Sequence, residues 1–193
     1  MKTKLFTLIL LVFAIFSFAQ NENSEHLSFK GVPIDGTLEE YVLKMKQKGF
    51  IYHSTEDGVA MLSGEFAGYK DCVVGVSTLK QKNLVHKIVV VFSDKKNWSS
   101  LSSNYFNLKE LLTDKYGQPS ESIEKFSSYE PKDDGSKMMQ VHLDRCEYET
   151  IFETEKGSIH LSIKGEISNA YVLLAYFDKI NDNIIKAKAK DDL

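Results

Sequence analysis

The chain has 193 residues, with 24 basic and 27 acidic side chains, a formal net charge of −3 and 42% hydrophobic residues. It is too apolar and too rich in aromatic residues to be disordered, and its low proline and glycine content excludes collagen-like and low-complexity sequences. The acidic balance excludes a broad basic surface for nucleic acid.

The first 19 residues have the pattern of a secretory signal peptide. Lys2 and Lys4 precede an apolar run from Leu5 to Phe18, and Ala19 is a small residue at the expected cleavage point. The run is shorter than the roughly 20 residues that span a bilayer, so a retained anchor helix is the less favoured alternative. No later run is long enough to span a membrane. We therefore expect a periplasmic or secreted protein of 174 residues with a net charge of −5.

Residues 20–30 are polar and are expected to form a flexible N-terminal tail. A helix is predicted after Thr37, because Thr37 and Glu40 have the spacing of a capping box. Gly49 is expected to end this helix. Its apolar stripe has helical spacing and consists of Leu38, Tyr41, Val42 and Met45.

Three strands are predicted next, at Val59–Phe66, Cys72–Leu79 and Val85–Phe92. Residues 67–71 are expected to form the loop between the first two. The third strand is apolar on both faces, which favours a position inside a sheet.

A second helix is predicted from Trp98 to Tyr116, where apolar residues recur at intervals of three and four. Gly117 and Pro119 follow in the order that is typical of a helix end. The second half is then expected to contain three more strands, at Glu147–Thr154, Ser158–Lys164 and Ala170–Phe177.

The dipeptide Lys156-Gly157 is predicted to form a two-residue hairpin turn. Counting outward from this turn places Glu153 opposite His160 and Glu149 opposite Lys164, which are favourable cross-strand pairs. These pairs predict the register of the second hairpin.

Between the second helix and these strands, residues 120–140 are expected to form a long loop, with a short added strand near Phe126 as an option. Residues 181–193 are expected to form a solvated C-terminal tail.

The sequence therefore predicts an α+β fold of two helix-plus-three-strand repeats, residues 31–96 and 97–180, with an antiparallel sheet that carries helices on one face. This plan resembles the β-lactamase-inhibitor-protein architecture and the related BamE-like envelope domains. The stretches Gly31–Leu38 and Lys115–Pro119 also resemble uncharacterised secreted proteins of Gram-negative gut bacteria. The resemblance implies a tandem fold in an exported protein, and its motifs specify helix ends rather than chemistry.

The two cysteines, Cys72 and Cys146, fall one in each predicted repeat. In an oxidising compartment they could pair in a disulfide that ties the repeats together. The alternative is two separate buried thiols, and neither cysteine lies in a recognisable catalytic motif.

The sequence contains few candidates for catalysis. None of the five histidines has metal-ligand spacing, and no nucleophile elbow or phosphate-binding loop is present, so no metal or cofactor is expected. The alternative of a small hydrolase rests on Glu149, Glu153 and His160 in the second hairpin, since paired carboxylates across a cleft can perform acid–base chemistry.

The leading prediction is a non-catalytic binding module of unknown specificity. It would bind a protein or an envelope polymer through the sheet face without helices and through loops. Tyr69 and Lys70 lie in a predicted loop tip, and Tyr129 lies in the long loop at 120–140. A carrier of a small apolar ligand, held between sheet and helices, is a further alternative.

Overall fold

The computed structural model describes residues 24–79, 82–127 and 129–191, and an eight-stranded antiparallel sheet dominates this part of the chain. The sheet has the strand order β3-β4-β5-β6-β10-β9-β8-β7, and a separate two-stranded hairpin is formed by β1 and β2. The strands are β1 (Ser28–Phe29), β2 (Val32–Pro33), β3 (Ile51–Glu56), β4 (Val59–Phe66), β5 (Tyr69–Leu79), β6 (Leu84–Val91), β7 (Glu121–Phe126), β8 (Cys146–Thr154), β9 (Gly157–Gly165) and β10 (Ala170–Asp178). The helices in the same residues are α1 (Leu38–Gln47), α2 (Trp98–Tyr116), α3 (Asp134–His142) and α4 (Lys179–Asp191).

The prediction of two helix-plus-three-strand repeats is wrong. Each half of the chain contributes four strands to the sheet, because β3 precedes the predicted strands of the first half and β7 precedes those of the second. The last strands of the two halves, β6 and β10, pair with each other at the centre, where Val90 lies opposite Leu174. The two halves therefore share one continuous sheet.

Helix α1 begins as the sequence predicts. The Thr37 hydroxyl accepts a hydrogen bond from the Glu40 backbone N–H at 3.3 Å, and the Glu40 carboxylate accepts from the Thr37 backbone N–H at 3.2 Å. Gly49 follows the helix with a φ of +91°, a conformation that side chains with a Cβ disfavour. The residues predicted as the apolar stripe are all buried: Leu38, Tyr41, Val42 and Met45.

Helix α2 starts at an Asn97 cap, whose side chain accepts a hydrogen bond from the Ser100 backbone N–H at 2.8 Å. It packs on β8, β9 and β10. The Tyr105 hydroxyl, at the centre of the buried stripe, lies 2.5 Å from the Thr150 hydroxyl on β8. Helix α3 packs beside α2, and the Asp134 carboxylate accepts hydrogen bonds from Ser99.

The main core lies between one face of the sheet and helices α1, α2 and α3. Strand pairing aligns the core residues in rows, because side chains that lie opposite each other point to the same face. At Gly165, a Cβ would collide with the Val141 carbonyl oxygen of α3, so glycine permits this close helix–strand contact. One core row contains Leu62, Val74, Val90, Leu174, Leu161 and Thr150.

Three segments differ from their expected structure. In the part of the predicted N-terminal tail that is described, Leu27 and Phe29 are buried, and the Phe29 ring stacks on Phe66 with centroids 4.9 Å apart. The predicted loop at 120–140 contains β7 and most of α3. Within the predicted C-terminal tail, the residues up to Asp191 form part of helix α4. The predicted signal peptide, residues 1–19, lies outside the described residues.

The second hairpin forms with a register that differs from the prediction by two residues. Its turn is Glu155-Lys156, because Thr154 pairs with Gly157. The predicted pairing of Glu153 with His160 is wrong, since Glu153 lies opposite Ser158. A two-residue shift leaves every side chain on its expected face.

The glycine that suggested the turn has another role. A Cβ at Gly157 would collide with the Phe177 carbonyl oxygen of β10. Glycine at this position therefore allows β10 to approach closely.

Candidate binding surface

The sheet has a second face, opposite α1, α2 and α3, which we call the open face. Successive side chains of a strand alternate between the two faces, so the neighbours of each core residue belong to it. Two rows of paired residues cross its centre. One contains Ser63, Val73, Val91, Leu173, Ser162 and Glu149, and the other contains Met61, Gly75, Val89, Ala175, His160 and Ile151.

The half of the open face that belongs to β4, β5, β6 and β10 is apolar. Val73 is 37% exposed, and Val89, Val91 and Leu173 are partly exposed. An antiparallel sheet that is covered on one side normally shows polar side chains on the other. These strands instead have apolar residues on both faces, which is typical of a surface that contacts a partner.

Gly75 lies in the middle of this apolar half. A Cβ there would lie 3.7 Å from Val59 and 3.9 Å from the Met61 sulfur, which are ordinary van der Waals contacts. Space therefore exists above Gly75, between larger neighbours.

The half that belongs to β7, β8 and β9 is acidic. The Lys125 ammonium lies 3.1 Å from the Glu147 carboxylate, and the Ser127 hydroxyl donates to the same carboxylate at 2.7 Å. Both hydrogen bonds, of which the one from Ser127 has the larger effect, hold the pKa of Glu147 below its usual value. The charged residues of this half are Glu121, Glu147, Glu149, Glu153, Lys125 and Lys164, so carboxylates outnumber ammonium groups.

The residues of the predicted hydrolase site share the open face without forming a catalytic cluster. His160 Nδ1 lies 3.7 Å from Glu149 Oε1, and His160 Nε2 lies 3.1 Å from the Ser158 hydroxyl. Glu153 is exposed and lies opposite Ser158. A pocket of about 310 Å³ at this end of the sheet is lined by Glu149 and Lys164 among others, and its lining contains neither Glu153 nor His160.

The loop residues that were predicted to bind lie at one end of the sheet. Tyr69 is the first residue of β5, next to a turn at Ala67-Gly68, and its ring contacts the edge of Phe92 at 5.2 Å. Lys70 and Tyr129 are exposed. Five strand spacings separate β5 from β7, or roughly 24 Å. Tyr69 and Tyr129 therefore lie too far apart to form a common site.

The two cysteines are free. Cys72 lies on β5 and Cys146 on β8, which are four strand spacings or roughly 19 Å apart. A disulfide requires a Cα separation below about 7 Å, so the sheet keeps the two thiols of one molecule from pairing. Burial raises the pKa of the Cys72 thiol, and it raises that of Cys146 to about 12.

In residues 24–79, 82–127 and 129–191, no group of three or more His, Cys, Asp or Glu side chains is arranged to hold a metal ion. None of the helices in these residues is long and apolar enough to cross a membrane. Comparison with known proteins finds no matching family model, no matching curated protein and no matching solved structure.

The sequence contains a signal for the apolar half of the open face. The run from Ile88 to Phe92 indicates a strand that is apolar on both sides, a pattern that predicts an interior position in the sheet. The strand is central in the sheet, as expected, yet α1, α2 and α3 all lie on the same side of it. Sequence periodicity cannot distinguish a face covered by the chain itself from one that a partner covers.

Proposed function

We propose that this protein is a non-catalytic binding module that acts outside the cytoplasm and binds a partner protein on the open face of its sheet. The observation that carries the proposal is the partly exposed apolar row formed by Val73, Val91 and Leu173 on the side away from the helices. Contiguous exposed apolar patches larger than a few hundred Å² are rare on monomeric proteins and mark interaction sites.

The two halves of the open face define the chemistry of the partner. The row runs from Val73 to Leu173 and continues through Ser162 to Glu149 in the acidic half. A matching surface carries an apolar patch beside a basic one, since opposite potentials steer association and fix orientation. A protein surface meets this requirement better than a polysaccharide does, because the centre of this half presents the apolar side chains of Val73, Val89, Val91 and Leu173. Lys87 shares the face, and its ammonium lies 4.7 Å from the centre of the Phe177 ring.

The alternatives have weaker support. A hydrolase would need Glu149, Glu153 and His160 around one cleft. These residues lie on a sheet face, where His160 contacts Glu149 and Glu153 lies opposite Ser158. A carrier of apolar ligands would need space between sheet and helices. That region contains large side chains with no exposure, including Tyr41, Tyr105 and Phe152.

The proposal is tested by placing a charge in the apolar row. Val73→Glu should weaken capture of the partner from envelope extract by roughly 10-fold or more, because a carboxylate in an apolar contact must be desolvated. Leu111→Glu is the matched control, since Leu111 is an exposed apolar residue on α2, on the other side of the molecule. Both proteins are first compared by thermal unfolding.

The partner is identified by quantitative mass spectrometry of the captured proteins. Recovery of the same partner at equal yield with Val73→Glu and Leu111→Glu would refute the role of the open face. Tyr69→Ala is a second variant, and a smaller loss of capture is expected because the Tyr69 ring packs against the buried Phe92 and lies outside the apolar row.

A further inference from the structure

We propose that the groove between α1 and the edge strand β3 binds an extended peptide segment of another polypeptide, which adds a short strand to the sheet at β3. This surface is distinct from the open face, because it lies on the side of the sheet that carries α1. The inference therefore does not depend on the proposed function.

The two edges of the sheet differ in charge. The edge strand β7 carries Glu121, Glu124 and Lys125, and ion pairs join Lys109 to Glu124 and Lys125 to Glu147. Charged side chains of this kind hinder the pairing of an edge with another chain. By contrast, the sequence of β3 is Ile-Tyr-His-Ser-Thr-Glu, in which Glu56 is the one acidic residue and no lysine occurs. Of the two edges in the described part of the sheet, β3 is the one less protected by charge.

A β-bulge limits how much of β3 can pair. Tyr52 lies opposite Leu62 and Ser54 lies opposite Met61, so His53 has no opposite residue on β4. The His53 ring instead bonds the Ser63 hydroxyl at 2.7 Å. Since a bulge twists the strand, regular pairing on the outer side is restricted to the stretch from Ser54 to Glu56. This favours a short peptide over open-ended stacking of sheets.

The groove beside this stretch provides space for side chains. It has a volume of about 470 Å³, within the usual range of ligand pockets of roughly 300–1,000 Å³. Leu43 on its α1 side is 58% exposed, and Tyr52 on its β3 side is also exposed. In strand addition the backbone supplies hydrogen bonds, while alternate side chains enter pockets beside the strand. The lining residues are Leu38, Glu39, Val42, Leu43, Lys46, Tyr52 and Thr55.

Charges at the ends of the groove define the peptide further. The Lys46 ammonium lies 5.1 Å from the centre of the Tyr52 ring, at the C-terminal end of α1. At the other end, Glu39 and Asp57 line an adjoining groove of about 420 Å³. A hydrogen bond from Asn83 holds the pKa of the Glu39 carboxylate below its usual value. The complementary segment is therefore an extended chain with an apolar residue at its centre. An acidic residue on one side of it would pair with Lys46, and a basic residue on the other side would pair with Glu39 and Asp57.

The test is a selection of linear 12-residue peptides from a random phage-displayed library on the immobilised full chain. Enriched peptides should carry an apolar residue flanked by opposite charges. A synthetic copy of an enriched peptide, followed by fluorescence anisotropy, should bind Leu43→Glu at least 10-fold more weakly than the unchanged protein. Leu111→Glu should bind it equally well, because Leu111 is a comparably exposed leucine (51%) on another helix.

Two further measurements locate the peptide. Hydrogen exchange of the complex should show new protection in β3, and Lys46→Glu should abolish the preference for an acidic residue in a repeated selection. Lys46→Glu also keeps the test valid if Leu43→Glu unfolds. The variant Val73→Glu should bind the peptide normally, which separates this surface from the open face.

Several results would overturn the inference. These are a selection without enrichment, equal binding by Leu43→Glu in its folded state, and protection confined to β7 or to the open face. A concentration-dependent dimer in sedimentation that Leu43→Glu abolishes would assign this edge to a second copy of the chain instead.

Discussion

The buried carboxylate of Asp178 connects the two ends of the described chain, and its removal is expected to be costly. Asp178 ends β10 and has no exposed surface. It accepts hydrogen bonds from the backbone N–H groups of Leu27 at 2.8 Å and Asn181 at 2.9 Å, and it lies 3.0 Å from His26 Nδ1. One side chain thus binds both the N-terminal segment and the start of α4.

The expected cost follows from the groups that lose this acceptor. A hydrogen bond to a charged group contributes about 1.5–3 kcal/mol, and removing one partner of a buried pair costs about 3–5 kcal/mol because the other is left unsatisfied. Asp178→Ala should therefore lower the free energy of unfolding by about 3–5 kcal/mol. For a domain of this size, each kcal/mol lowers Tm by about 2–4 °C, so the loss in Tm should be roughly 6–20 °C.

The assay is urea and thermal unfolding of the purified protein, with Asp35→Ala as the matched control. Asp35 lies 3.6 Å from the other nitrogen of His26 and accepts a hydrogen bond from the Asn181 side chain at 3.3 Å. Its side chain is 45% exposed, and Asn181 keeps its bonds to Ile34 and Val85, so the loss of Asp35 should cost about 1 kcal/mol or less. Limited proteolysis should also cut Asp178→Ala faster near Leu27. If Asp178→Ala costs no more than Asp35→Ala, the reasoning that this carboxylate holds the chain ends together is wrong.

Three further outcomes are expected. Gly165→Ala should lower the free energy of unfolding by about 1–3 kcal/mol in urea, because its Cβ would overlap a backbone oxygen of α3, whereas Gly75→Ala should be nearly neutral. Tyr105→Phe should cost about 1 kcal/mol in the same assay, since it removes a buried hydrogen bond between side chains; no measurable change would contradict that bond. Because burial raises the thiol pKa values of Cys72 and Cys146, few thiolates form near neutral pH, so Ellman's reagent should react slowly with the native protein. After denaturation it should count two thiols per chain, and a count of zero would contradict the separation of the cysteines.

The elements that the sequence predicts well are those with a local physical signal. The capping box of Thr37 and Glu40 starts α1, and the spacing of apolar residues predicts α2 from Trp98 to Tyr116. The strand Val59–Phe66 also has its predicted bounds. In each case the information lies within a few neighbouring residues, so no knowledge of distant contacts is required.

The edge strands are missed because their sequences lack this signal. Ile51–Glu56 and Glu121–Phe126 pair with another strand on one side, and five of the six residues in each are exposed. Without two buried faces or a clear alternation of apolar and polar residues, such segments are indistinguishable from loops. Helix α4 is missed for a related reason, since the segment after Asp178 is polar and its first turn is held by distant partners. The Asn181 side chain donates to the carbonyl oxygens of Ile34 and Val85.

The register error in the second hairpin has a different origin. The predicted pairs Glu153–His160 and Glu149–Lys164 were favoured by charge, yet such exposed pairs contribute little. The close approach of β10 at Gly157 is a steric requirement and outweighs them. The structure still joins His160 to an acidic partner, Glu149, two residues further along the strand.

The candidate binding surface depends on the pairing of β6 with β10, which the sequence patterns do not predict. Val91 on β6 lies opposite both Val73 and Leu173, which come from different halves of the chain. The apolar row therefore crosses the junction between β6 and β10, and neither half presents it alone. A partner that covers this junction would also oppose separation of the two halves, so binding on the open face should stabilise the whole sheet rather than one half of it.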